Sequence, residues 1–265
     1  MKDCESGQNR KKETASSSGA ATCGRSVILG VGFDRLTQAE AAERILRAID
    51  SGSPSPLFVV TPNPLMVSDA LRDPDLMRII NGADLVIADG TGILSASRRL
   101  GDPLPGRAAG IDTAFDVIKE LPRLGRSLFI LGGKPGRAAE AAERLGRLIP
   151  GLDVCGTADG YGGLSDPGLP GRIASLSPGL LAVCLGSPKQ EKWLDENAGR
   201  LGGVGAAVCL GGAVDVWSGR IGRAPGLFIK LKLEWLWRML REPSRLRRLP
   251  DLVRFRLATR KKRPD

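Results

Sequence analysis

The stretch Asp84-Leu-Val-Ile-Ala-Asp89-Gly90-Thr91-Gly92 holds a carboxylate where chemistry can be done. Leu85 to Ala88 is a continuous apolar run, which reads as a buried strand with Asp89 at its end. Gly-Thr-Gly then lets the backbone turn tightly and approach a ligand, leaving Gly90 and Gly92 as room beside the acid. Asp89 at such a place serves as a proton acceptor or as the cap of the helix that Ile93 to Leu100 can form. The chain has no histidine. That excludes a Ser-His-Asp triad, a Cys-His pair and an H-E-x-x-H zinc site, so proton transfer rests on carboxylates, Lys, Tyr or Cys.

Other polar groups stand at comparable positions. Leu57-Phe-Val-Val-Thr61 is an apolar strand running into Pro62-Asn63-Pro64. Asn63 there either bonds a sugar or phosphate oxygen or caps the helix that starts near Pro64. A Gly/Pro-rich loop delivers Arg107 just before a helix over 110–121, within reach of an anion at that helix's N-terminus or of bulk water. Ser127 to Gly133 is a strand ending in Gly132-Gly133. Leu180 to Ser187 is another, followed by Pro188-Lys189-Gln190-Glu191 in the first turn of a helix. Gln190 and Glu191 read either as site residues or as an ordinary acidic first turn. Asp73-Pro-Asp75 has the D-x-D spacing of a metal site, but an N-cap followed by proline at the first helical position explains it fully.

These groups need a scaffold. Arg25 to Gly32 reads as one short strand. Thr37-Gln-Ala-Glu40 is a capping box that opens a helix over 39–49. Leu152 to Thr157 and Gly205 to Leu210 are further strands, the second followed by Gly211-Gly212 and Asp215. Apolar strands alternating with helical segments predict an α/β fold, a Rossmann-like, mainly parallel sheet with helices on both faces. Right-handed crossovers bring Thr61, Asn63, Asp89, Gly132, Gly133 and Gln190 to one edge of that sheet. G-x-G-x-x-G and the P-loop pattern are both absent, which weakens a dinucleotide or P-loop reading.

Three regions follow from composition. Residues 1–24 are polar and rich in Ser and Lys, with no apolar h-region, and are expected to be a disordered tail. Residues 25–219 form the Rossmann-like core. Residues 220–265 carry 15 Lys/Arg against 4 Asp/Glu, a net of +11, whereas residues 1–219 carry 24 against 25. Leu227 to Leu240, and Ser244 to Lys262 after Pro243, read as basic helices bearing Trp, Leu and Phe, suited to an anionic lipid surface or to docking on the core. No apolar run approaches the ~20 residues that span a bilayer. Five scattered cysteines without C-x-x-C argue against a disulfide framework and for a cytoplasmic protein.

Taken together, the chain resembles the WecG/TagA/CpsF family of bacterial glycosyltransferases. The resemblance runs from about Val27 to about Arg248. It is carried by Thr61-Pro-Asn-Pro, Asn81-Gly-Ala-Asp-Leu, Asp89-Gly-Thr-Gly, Arg107 before Gly110-Ile-Asp112, Leu131-Gly-Gly-Lys, Asp159-Gly-Tyr161, Leu185-Gly-Ser-Pro-Lys-Gln-Glu191, Gly211-Gly, Arg223-Ala-Pro, and Glu234-Trp-Leu-Trp-Arg with Glu242-Pro-Ser-Arg245. Val214 stands where the family pattern has Phe before the Asp, a difference expected to affect packing only.

The resemblance implies an inverting, metal-independent transferase that needs no cofactor. It would move a sugar, typically N-acetylmannosamine or its uronic acid, from a UDP donor to a polyprenyl-diphosphate-linked sugar such as N-acetylglucosamine, with UDP-glucose as another donor. Asp89 matches the family's proposed base. Thr61, Asn63, Arg107 and Gln190 match positions around the substrate. The basic appendage would close over the site and meet the membrane, placing the protein on the inner face of the cell membrane; a homo-oligomer is allowed. With no histidine, arginines must offset the charge on leaving UDP, and Arg107, Arg223, Arg238, Arg241 and Arg245 are the candidates. Two rivals are a nucleic-acid-binding module, which the basic tail permits, and a nicotinamide-dependent oxidoreductase. On the family reading no nucleic-acid partner is expected.

Overall fold

A computed structural model describes residues 24–221 and 247–260. Its centre is a six-stranded sheet in the order β4-β3-β8-β7-β5-β6, every neighbouring pair parallel. The strands are β3 (Leu57–Val60), β4 (Leu85–Val86), β5 (Leu128–Gly132), β6 (Val154–Ala158), β7 (Leu180–Cys184) and β8 (Ala206–Cys209). Strands β5, β7 and β8 are buried along their whole length, which is why they read as unbroken apolar runs.

Alternate residues of the strands feed two separate cores. Val60, Leu131, Leu181, Val183 and Ala207 face one side. There they meet α2 (Pro64–Ala70), α3 (Pro74–Gly82), α4 (Thr91–Arg99), α7 (Leu169–Leu176) and α8 (Lys189–Asn197). Val59, Ile130, Leu180, Ala182 and Val208 face the other, against α1 (Gln38–Ser51), α5 (Gly110–Glu120), α6 (Arg137–Leu148) and α9 (Ala213–Trp217). This is the doubly wound arrangement expected from the alternation of strands and helices.

The single strand expected over residues 25–32 is instead a hairpin. β1 (Ser26–Ile28) and β2 (Val31–Phe33) pair antiparallel, with Ile28 opposite Val31. Leu29 and Gly30 both take positive φ, 51° and 88°, as the centre of a tight two-residue hairpin turn requires. Asn81 secures that turn, its amide donating to Gly30 O and its oxygen accepting from Gly32 N. Asp34, just after the hairpin, bonds both backbone groups of Val86 and so covers the free edge of β4.

The capping box at Thr37 and Glu40 forms as expected, opening α1. The strand predicted over 152–157 starts two residues later and ends one residue later, and the eight-residue α7 has no counterpart in the sequence reading. At the C-terminal end the expected helix over 244–262 is α10, Leu249–Ala258, with Pro250 in its first turn. It lies against α2 through buried Phe255, and Arg248 and Arg72 pair with Asp69 and Asp251 across the contact. The helix expected over 227–240 falls outside the described residues.

Candidate functional site

Because all six strands are parallel, their carboxyl ends share one edge, and short bonds bind those ends to one another. Asp89 N donates to Pro62 O at 3.2 Å and Ala108 N donates to Ala88 O. Thr61 Oγ1 donates to Cys209 O at 2.9 Å, Leu210 N donates to Val183 O, and Gly160 N donates to Gly133 O. Adjacent strands lie about 4.8 Å apart, so the β4 and β8 ends are separated by about 10 Å. A sugar and a diphosphate can lie side by side along that distance.

Asp89 is half-buried at the β4 end, three residues beyond the last paired residue of the strand. It is not the helix cap that its sequence position allows. Gly90 occupies the N-cap position of α4, with φ 91°. Gly92 has a packing reason for being bare, since a Cβ there would lie 2.5 Å from Pro64 Cγ. A Cβ on Gly90 would meet only Pro64 Cδ, at an ordinary 4.0 Å, so its positive φ rather than crowding requires glycine. The room expected beside the acid is therefore at Gly90, while Gly92 seats α4 against the start of α2.

Asn63 and Thr61 both have structural duties. Asn63 Oδ1 caps α2, accepting from Leu65 N and Met66 N at 2.9 and 3.2 Å, which leaves the amide NH2 as the group able to meet a ligand. Thr61 is 7% exposed, and its hydroxyl proton is committed to Cys209 O, tying β3 to β8. Gly110 allows α5 to start directly against Thr61, because a Cβ there would lie 2.8 Å from Thr61 Oγ1. The loop carrying Arg107 is thereby held beside β4, with Arg107 half-buried one residue from the Ala108–Ala88 bond.

At the middle of the edge, Gly132 and Gly133 have φ 132° and 75°. A Cβ on Gly132 would overlap the Cys184 carbonyl, and one on Gly133 would touch Arg137 and Val214 at 3.0 Å. Both glycines therefore serve close packing of β5 on its neighbours. Burial pushes the Cys184 thiol up to about 12, so it is an inert core group.

The first turn of α8 departs most from its appearance in the sequence. Gln190 and Glu191 stand in the first turn of α8 as expected, yet are only 2% and 0% exposed. Gly211 N donates to Gln190 Oε1 at 2.8 Å, and Gln190 Nε2 donates to Glu191 Oε1 at 2.7 Å. Enclosed like this, Glu191 does not itself touch a substrate. Ser187, which lies within the Leu185–Glu191 motif with no role assigned to it there, and Cys209, for which the sequence offers no signal, also face its carboxyl.

Asp73 is accounted for as the N-cap of α3, and its other oxygen pairs with Lys192 at 2.8 Å. Arg223, Arg238, Arg241 and Arg245 lie outside the described residues. The described edge thus brings together one half-buried carboxylate, an arginine-bearing loop, an amide at α2 and a buried Gln–Glu pair. That set can deprotonate a hydroxyl beside a bound anion.

Comparison with known proteins adds the chemistry. The sequence model of the "Glycosyl transferase WecG/TagA/CpsF family" matches residues 26–264. The chain is similar to a Bacillus spizizenii protein named N-acetylglucosaminyldiphosphoundecaprenol N-acetyl-beta-D-mannosaminyltransferase, 34% identical over 199 residues, covering 75% of this chain and 76% of that protein. It is also similar to a Staphylococcus aureus (strain MW2) protein of the same name, 32% identical over 228 residues, covering 86% of this chain and 89% of the other.

Proposed function

The chain belongs to the WecG/TagA/CpsF family of glycosyl transferases, and from that membership we propose that it moves N-acetylmannosamine or a related hexose from a UDP-sugar to a polyprenyl-diphosphate-linked N-acetylglucosamine. The relatives' names support the sugar and the acceptor. The observation that carries the chemistry is Asp89, a half-buried carboxylate just beyond the carboxyl end of β4, where a parallel sheet places its ligands. In this reading Asp89 takes the proton from an acceptor hydroxyl as its oxygen attacks the anomeric carbon. The bond from that carbon to the UDP oxygen breaks, and one displacement inverts the centre. Arg107, beside the same strand end, offsets charge on the departing diphosphate, with Arg223, Arg238, Arg241 and Arg245 as further partners.

The acceptor's lipid requires the enzyme to work at a membrane surface. No helix among the described residues is long and apolar enough to cross one. Helix α10 instead exposes Leu249, Val253 and Leu257 at four-residue spacing, beside exposed Arg254, Arg256 and Arg260. This fits a peripheral position on the inner face of the cell membrane.

The test is Asp89→Asn, assayed for UDP release with a panel of UDP-sugars and a short-chain prenyl-diphosphate N-acetylglucosamine. UDP binding should persist while the rate falls about 10²–10⁴-fold. A full transfer rate in that variant would remove Asp89 as the base.

A further inference from the structure

Gln190 and Glu191 are consecutive, inside the protein, and joined by a hydrogen bond whose direction can be worked out. The backbone N–H of Gly211 can only donate, and it lies 2.8 Å from the Gln190 amide oxygen. The Gln190 NH2 must therefore face Glu191, where it donates to Oε1 at 2.7 Å. Oε1 is thus an acceptor. Among the described residues the second oxygen, Oε2, is fully enclosed without a hydrogen-bond partner, and so is Ser187 Oγ.

The charge balance around this carboxyl is unusual. Among the described residues, the groups acting on Glu191 are Gln190, Ser187, its own backbone and Cys209, with no Lys or Arg among them. Burial is the largest influence and pushes the carboxyl above its ordinary range. The Cys209 thiol, on β8, is also pushed up, first by burial and then by Glu191. A bare carboxylate enclosed with no cation would cost several kcal/mol. A proton on Oε2 removes that charge and supplies the donor that the enclosed Ser187 oxygen can accept.

The geometry points to Glu191 as a positioning residue: held as a neutral acid with its proton on Oε2 toward Ser187, it locks the Gln190 amide against Gly211 and leaves one N–H of Gln190 for a substrate oxygen. The same lock ties the turn after β7 to the turn after β8, so Glu191 acts through Gln190 and makes no contact with substrate. The word substrate rests on the transferase reading above; the protonation of Glu191 does not.

Two variants and one spectrum test this. Glu191→Gln is isosteric with the neutral acid and can still accept from Gln190 and donate to Ser187. Glu191→Met has similar volume and neither bond. The infrared difference spectrum of parent minus Glu191→Gln at neutral pH should show a protonated-carboxyl C=O band. Thermal melts confirm that each variant folds. Glu191→Gln should keep kcat/KM within about threefold, while Glu191→Met should lose about 100-fold, mostly in kcat. Rescue by Gln but not by Met separates positioning from simple packing.

Absence of the protonated band overturns the inference. So does a Glu191→Gln variant as impaired as Glu191→Met, which would mean that the charge is needed, or a Glu191→Met variant with parental kcat/KM. If the parent releases no UDP from any donor although the band is present, the transferase reading falls, and the substrate half of this inference falls with it.

Discussion

A methyl group on Gly132 would overlap the carbonyl oxygen of Cys184 on the neighbouring strand, and the residue's φ of 132° suits glycine alone. Gly132→Ala should therefore destabilise the fold by about 3 kcal/mol, lowering Tm by roughly 6–12 °C. Gly136 has positive φ too, but open space around it, so Gly136→Ala should cost only about 1 kcal/mol. Equal melts for the two variants would show that β5 and β7 are not as closely apposed as described. Glu191 gives a pH test at the same scale. Its folded carboxyl titrates above the ordinary value of 4.5, raised first by burial. Below about pH 4.5 both folded and unfolded chains hold the proton, and its contribution is fully present. As pH rises, the unfolded chain ionises first, and stability is lost until the folded group also ionises. Glu191→Gln does not titrate, so its Tm advantage over the parent should be absent in acid and grow as pH increases. A difference constant across pH would contradict this.

Among the elements, α10 is the one whose attachment can be undone selectively. It meets α2 through Phe255, 4% exposed, and through the Arg72–Asp251 and Arg248–Asp69 pairs at 2.9 and 2.7 Å. Exposed pairs of this kind contribute little each, so the aromatic ring dominates. Phe255→Ala should cost about 3–5 kcal/mol at this contact, and amide exchange over 249–258 should speed up while β5, β7 and β8 stay protected. Arg72 holds the Asp251 carboxyl below its usual range. That contribution is present above the ordinary carboxylate value and is lost as pH falls through the lowered one, so acid should speed exchange in α10 as well. The elements also show why the sequence was legible where it was. Strands β5, β7 and β8 are buried on both faces and announce themselves as apolar runs. The β1–β2 hairpin turns on Leu29-Gly30, which lacks the Asn-Gly or Asp-Gly signature, so it reads as one strand. Helix α7 contains Pro170 and Gly171 within eight residues, and its composition hides it. In the site, the strand-end positions were readable. That Gly90 rather than Asp89 takes the N-cap, and that Glu191 points inward, depend on tertiary packing that spacing does not encode.

For the molecule as a whole, charge and apolar surface coincide. The net of +10 resides in residues 220–265, which carry +11, so the core is close to neutral. Within the described part of that region, α10 presents Leu249, Val253 and Leu257, which are 42%, 51% and 53% exposed, next to Arg254, Arg256 and Arg260. Apolar side chains left in water beside exposed arginines suit an interface that is apolar below and anionic at its surface. A nucleic acid would use the arginines but would gain little from the three aliphatic groups. The two partners therefore separate in a single experiment. Sedimentation with vesicles containing anionic phospholipid should capture the parent, and neutral vesicles should capture much less. Changing Leu249, Val253 and Leu257 together to Gln keeps every charge and the docked face of α10, and should weaken vesicle capture about tenfold or more, since each buried aliphatic group is worth on the order of 1.5–3 kcal/mol. Binding to single- or double-stranded nucleic acid, if any, should be unchanged by that triple variant. Undiminished vesicle capture would assign the membrane contact to arginine charge alone and leave the aliphatic stripe for another partner.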